Sequence, residues 1–256
     1  MNLKRLPLYI GLAAALIGCG GSTANGGSFG QALVLLNGNS IQRMRLSNGD
    51  FIGNAIPLSK TIAAIAYNSD NGTLYGFGTD TRLYTIHPFT GVCSTIGNGD
   101  PTNWTPSNIG ISVDPATGKL RYVNSEGGNV VFSVSTGQLD DNGQTFEFKV
   151  GDPNQGDDPD LAGCAFRAAS SAVYAIDTNN DLLVRAPAPN NGQLETVGAT
   201  GLDFNGNTGF AIDTSTGFGY VVSDGSNQGF YRVDLDTGHA TAITTTQEIA
   251  DIAVLH

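Results

Sequence analysis

The chain has 256 residues, a formal charge of −11 from 12 Lys+Arg against 23 Asp+Glu, only 14% charged residues and 35 glycines. An acidic surface repels phosphates and lacks a polybasic membrane footprint, which argues against nucleic acid as partner. Many glycines and few charges fit an all-β protein rich in tight turns better than a helical one, and the length allows one domain with a large core.

At the N-terminus, Lys4 and Arg5 precede a mostly apolar run from Leu6 to Ile17. That run is shorter than the roughly 20 residues of a membrane span and has the form of a signal peptide. It ends in Leu16-Ile17-Gly18-Cys19, which resembles the lipobox of bacterial lipoproteins. That resemblance implies cleavage after residue 18 and a lipid on Cys19, with an ordinary secretory signal as the alternative. Gly20 is not an Asp that would retain the protein at the inner membrane, so the expected address is the cell envelope, at the outer membrane or cell surface. Losing Lys4 and Arg5 takes the formal charge from −11 to −13. The run GGSTANGGS (20–28) has nothing to bury and reads, with Cys19, as a flexible tether over 19–28. Residues 29–256 are then a single folded domain.

Within that domain, 61–97 reads as four short strands, TIAAIAYN, TLYGFG, RLYTIHP and VCSTIG, separated by breaks rich in Gly, Asn, Asp or Pro. The unit recurs. A turn glycine after each third strand falls at Gly49, Gly91, Gly137, Gly192 and Gly238, at intervals of 42, 46, 55 and 46 residues. A turn after each first strand falls at Gly72, Gly118, Ser171 and Gly217, followed by bulky pairs at Leu74-Tyr75, Arg121-Tyr122, Val173-Tyr174 and Gly219-Tyr220. Four strands in about 45 residues is the size of a propeller blade. Three strands before the first full unit (32–36, 41–46, 51–56) and one after the last (249–255) complete a further blade. The expected fold is therefore all-β, a five-bladed β-propeller of four-stranded antiparallel blades whose first blade is closed by the C-terminal strand. Small residues in the first strands (IAAIAY, NIGISV, LAGCAF, GFAID, IADIAV) fit a crowded axis. The alternative is an open sandwich.

The stretches VYAIDTNNDLLVRAPAPNNGQLETVGATGLDFNGNTGFAID (173–213), RLYTIHPFTGVCSTIG (82–97) and VGDPNQG (150–156) resemble the bacterial domain of unknown function 4394. The resemblance spans about 31–255. It implies a secreted or surface-attached β-propeller with no established activity, so no catalytic residue carries over. The chain departs from that pattern around Asn103–Ser107 and in carrying Cys93 and Cys164.

The three histidines, His87, His239 and His256, fall in separate units and make no metal set. Common hydrolase and nucleotide motifs are absent. Asp177-x-Asn179-x-Asp181 has the alternate oxygens of a calcium loop, but lacks its Gly and Glu and reads as a hairpin turn. The two long inter-blade loops are the better candidates. One carries Asn103 and Trp104; the other carries Asp152, Asp157, Asp158 and Asp160. Side by side they would form an acidic, aromatic-edged ligand site, with Ca²⁺ at Asp152, Asp157 and Asp158 as the one plausible cofactor; otherwise they are solvated loops. The expected role is binding or scaffolding by a monomer that meets the membrane through its lipid, with a glycan or an envelope protein as partner. The alternative is a glycosidase- or lactonase-like hydrolase using Asp160, Asp203 or Glu248 at the axis mouth. Cys93 in an outermost strand and Cys164 in an innermost one are too far apart to bridge.

Overall fold

Residues 30–98, 108–245 and 248–255 are described by a computed structural model. Blade 1 holds β1 (Gln31–Leu36), β2 (Ser40–Arg45) and β3 (Phe51–Pro57); blade 2 holds β4 (Ile62–Asn68), β5 (Thr73–Gly78), β6 (Leu83–Ile86) and β7 (Cys93–Thr95). Blade 3 is built from β8 (Ile109–Asp114), β9 (Lys119–Asn124), β10 (Asn129–Ser133) and β11 (Leu139–Asn142). After the short β12 (Glu147–Phe148), blade 4 comprises β13 (Leu161–Arg167), β14 (Ala172–Asp177), β15 (Leu182–Ala186) and β16 (Gln193–Ala199). Blade 5 comprises β17 (Thr208–Asp213), β18 (Phe218–Ser223), β19 (Gly229–Val233) and β20 (Ala240–Thr244), and the chain ends in β21 (Ile249–Leu255). The β21 strand is the innermost strand of blade 1, hydrogen-bonded antiparallel to β1 from Gln31↔Leu255 to Leu36↔Ile249. The five-bladed propeller is thus closed by its own two ends, which removes the open edges that an unpaired first blade would present.

The core divides into five apolar clusters, one in each seam between neighbouring blades. At the axis the innermost strands approach through small residues: a Cβ on Gly110 would meet the backbone of Gly163 and Cys164, and one on Gly209 would meet Asp251. Cys164 lies buried in an innermost strand and Cys93 in an outermost one, both as free thiols.

One strand was not expected. The β12 strand pairs parallel with the outer edge of β16, which makes blade 4 five-stranded and departs from a purely four-stranded antiparallel plan. The cause is local. Phe146 and Phe148 are both buried in the seam between blades 3 and 4. That alternation anchors the crossing chain against the edge, where Glu147 and Lys149 N–H donate to the carbonyls of Gly192 and Leu194 (2.8 and 3.0 Å).

The periodic glycines do two jobs. All five outer-turn glycines have positive φ, and each presses on the neighbouring blade's edge or on chain leaving it: Gly91 on Pro57, Gly137 on Ile96, Gly192 on Thr145, Gly238 on Gly198 and Gly49 on Thr244. A Cβ at Gly91 would overlap the Pro57 carbonyl oxygen, whereas one at Gly217, with the same backbone hand, would meet nothing within 4 Å. Gly217→Ala should therefore cost only the left-handed strain, about 1–2 kcal/mol. Gly91→Ala should cost a further ~1–3 kcal/mol of overpacking. Paired thermal melts check this, and equal losses would show that the turn, not the seam, demands glycine.

Candidate functional site

Of the expected loop site, Asn103 and Trp104 lie outside the described residues. Asp152 is buried and ties its loop to β16. Its carboxylate accepts Thr196 N–H (2.8 Å), Thr196 Oγ1–H (2.7 Å) and Asn154 N–H (3.0 Å). Burial pushes its pKa up, but these bonds outweigh that and hold it below the usual carboxylate range. Asp157 and Asp158 are exposed and line an open cleft with Glu147, Phe148, Val150, Gln155 and Gln193. Asp160 sits nearer Asp177, whose Oδ1 accepts the N–H groups of Asp160, Asn179 and Asn180 (3.1, 3.1 and 3.3 Å). Burial, then the Asp177 charge, raises the pKa of Asp160.

The Asp177–Asp181 segment is accordingly a tight turn, with Asp181 at φ +57°. Glu248 lines a separate cleft with Asn37 and Asn39, while Asp203 accepts from Asn205 Nδ2 (3.2 Å) and adds to the charge around Asp181. Among the described residues no three His, Cys, Asp or Glu side chains stand together as a metal set. Calcium here would have to draw on carbonyls and water.

Two further spaces lie elsewhere. A well of about 60 Å³ runs along the axis, lined by the later halves of the five innermost strands, 65–67, 111–113, 164–166, 210–212 and 252–254. It therefore lies toward the face that carries the first-to-second strand turns, opposite the inter-blade loops. At its inner side Asp251, 4% exposed, accepts Ile65 N–H on Oδ2 (2.7 Å) and Ile252 N–H on Oδ1 (2.8 Å). Burial nevertheless raises its pKa to about 8. Nearby, burial also pushes the Cys164 thiol up, to about 12, so it is an inert packing group.

The second space, about 180 Å³, is in the seam between blades 3 and 4 on the same turn face. One wall is a cross-strand row of blade 3: Ser112 pairs with Arg121, Arg121 with Val131 and Val131 with Asp141. The facing wall is Phe166 and Val173, with Pro189 and Asn190 from a turn. Strand register shows why the cavity is here. Three residues after the first turn, blades 2, 4 and 5 carry Tyr75, Tyr174 and Tyr220, each opposite an alanine (Ala66, Ala165, Ala211). Blade 1 pairs Leu33 with Ala253. Blade 3 alone has Arg121 opposite Ser112. The aromatic Tyr122 is one place further on and packs into the other seam, against Phe77. Its match to the other tyrosines, suggested by the dipeptide pattern, is thereby corrected.

The Arg121 guanidinium donates to the side-chain oxygens of Asn129 and Asn190, and among the described residues no carboxylate lies within 4.0 Å of it. Ser112, 5% exposed, has a buried hydroxyl with no nitrogen or oxygen partner, beside the Cys164 thiol, a weak hydrogen-bonding group. At the mouth, Asp114 accepts Ala116 N–H (3.0 Å) and Thr117 Oγ1–H (2.7 Å), Asp141 accepts from Asn190, and Lys119 pairs with Asp140 (2.7 Å). No sequence motif marks this set. Its signal was the break in the Ala–Tyr repeat.

Residues 49–253 match the family described as domain of unknown function (DUF4394). No curated protein matches the sequence. Among solved structures, a chain of a nidogen/laminin complex superposes with TM-score 0.57 at 12% identity, covering 89% of this chain and 98% of that one. A protein of unknown function from Bacteroides caccae gives 0.56 at 11%, covering 90% and 100%. A structural genomics protein of unknown function from Bacteroides thetaiotaomicron VPI-5482 gives 0.55 at 15%, covering 85% of this chain and 57% of that one. At such identities the likeness extends to the fold alone.

Proposed function

We propose that this chain, which belongs to the domain of unknown function 4394 family, is a lipid-anchored, non-catalytic binding propeller of the cell envelope. The observation that carries the binding half is the composition of the seam cavity. It offers the Arg121 guanidinium, the Lys119 ammonium, the Ser112 and Thr117 hydroxyls and the Asn190 amide, but no histidine, and its two carboxylates, Asp114 and Asp141, are held in place by hydrogen bonds. Catalysis needs a base free to take a proton within reach of a nucleophile; recognition needs only fixed donors and acceptors. The anchor half rests on Leu16–Cys19 following an apolar leader. A glycan or envelope protein at the Asp157–Asp158 loop, with or without Ca²⁺, belongs to the same reading.

Cys19→Ala should move the protein from the membrane to the soluble fraction; a variant that still sediments with membranes refutes the anchor. Turnover of chromogenic glycosides or lactones by the purified protein, lost in Asp160→Asn, would replace binding with hydrolysis.

A further inference from the structure

We infer that the cavity between blades 3 and 4 takes a small amino carboxylate, with the carboxylate innermost on Arg121 and Ser112 and the ammonium outermost toward Asp114 and Asp141. The inference deepens the binding reading and rests on it. Its first support is the repeat itself. Every other seam fills this row with Ala–Tyr or Ala–Leu, and the one seam that departs loses its filler and gains a cavity at the same residues.

The second support is unmet polarity. Charged groups taken out of water are normally paired, yet part-buried Arg121 donates to two neutral amides and meets the Asp141 charge only across Asn190. Those amides fix the plane of the guanidinium, which pre-organises its remaining N–H groups for a planar carboxylate. The Ser112 hydroxyl, whose one neighbour for hydrogen bonding is the weak Cys164 thiol, lies beside it in the same cross-strand row, as a further donor.

Charge is layered with depth. The hydroxyl and guanidinium are inside, Phe166, Val131 and Val173 form apolar walls, and Asp114, the exposed Asp141 and Lys119, which is paired with Asp140, stand at the mouth. A ligand that is negative inside, apolar in the middle and positive outside fits this arrangement, the Lys119 charge being offset by Asp140. An inorganic phosphate or a dianion would meet the two carboxylates and be repelled. The volume is below the roughly 300–1,000 Å³ of drug-sized sites, which limits the occupant to about a single amino acid.

The experiment is calorimetric titration and thermal melting of the detergent-purified full-length protein. The probes are leucine, phenylalanine, N-acetyl-leucine (no ammonium), leucinamide (no carboxylate) and inorganic phosphate. Free amino acids should bind, and both blocked forms should bind about 10–100-fold more weakly, as expected for losing a charged hydrogen bond. Phosphate should neither bind nor compete.

The double variant Ser112→Ala with Arg121→Tyr restores the pair used in blades 2, 4 and 5. It should abolish binding and melt no lower than the parent. Ser112→Ala alone, which removes a hydroxyl bonded at most to the weak Cys164 thiol, should weaken binding without lowering the melting temperature. Blocked forms binding as well as free ones, competition by phosphate, retained affinity in the double variant, or no heat with any probe would each overturn the assignment. A membrane-borne protein without turnover that gives no heat here would lose this ligand class but keep its reading as a binding propeller.

Discussion

Deleting Ile249–His256 is expected to abolish the cooperative unfolding transition. The β21 strand is the innermost strand of blade 1 and takes part in two seams. Ile249, Ile252 and Val254 are buried against blade 5, and Ala253 against blade 2. Burying three such aliphatic side chains contributes about 1.5–3 kcal/mol each. The strand's hydrogen bonds to β1 are also lost, leaving the backbone of that strand unpaired at the axis. Set against a net stability of about 5–15 kcal/mol for a typical domain, this leaves little to hold the ring. Circular dichroism melts provide the measurement. A truncated protein melting within a few degrees of the parent would mean that the ends do not carry the closure.

Asp251 should make the protein less stable as pH rises from about 5 to about 8. Its folded pKa of about 8 lies above the ordinary carboxylate value, so the folded state holds a proton that the unfolded chain has released. Below pH ~4 both states are protonated and the residue adds no pH dependence. Above that, stability falls by about 1.4 kcal/mol per pH unit, and it levels off once the folded carboxyl has ionised. Asp160 and Asp181, both raised chiefly by burial, add a smaller slope of the same sign. Asp152 and Asp213, held low by hydrogen bonds that outweigh burial, act oppositely and lose their contribution only in more acidic solution. Maximum stability should therefore lie at pH ~4. The Asp251→Asn variant keeps one acceptor but cannot ionise, so it should lose most of the alkaline slope while being less stable than the parent at pH 5. Denaturant titrations at several pH values test this, and an unchanged slope in Asp251→Asn would remove Asp251 as its source.

Much of the architecture was legible because it repeats. Glycines recurring about every 45 residues mark turns whose backbone hand few other residues tolerate, and the lone strand at 249–255 could only complete the three-stranded first unit. What stayed hidden depends on register and on neighbours distant in sequence. Arg121 is followed at once by Tyr122, which keeps the aromatic pattern intact in the sequence, and only strand pairing shows that arginine occupies the tyrosine position. Phe166 and Val173 reach that arginine across a seam. Asp251 looks like any polar residue in an alternating strand; its burial arises only when five strands meet. The two phenylalanines of FEF (146–148) carry no strand signal because a two-residue parallel edge strand has no periodicity to display.

Pairing Gln31 with Leu255 also fixes an orientation. The β21 strand runs toward the face of the axial well, so the domain's first strand begins, and its last ends, on that face. With a lipid on Cys19, the dozen residues leading to Gln31 cannot span more than about 40 Å. An anchor there would enter the domain on the side where the seam cavity opens, with the inter-blade aspartate loop on the opposite face. A bilayer-proximal small-molecule port and a distal surface for larger partners would then occupy opposite ends of one short cylinder.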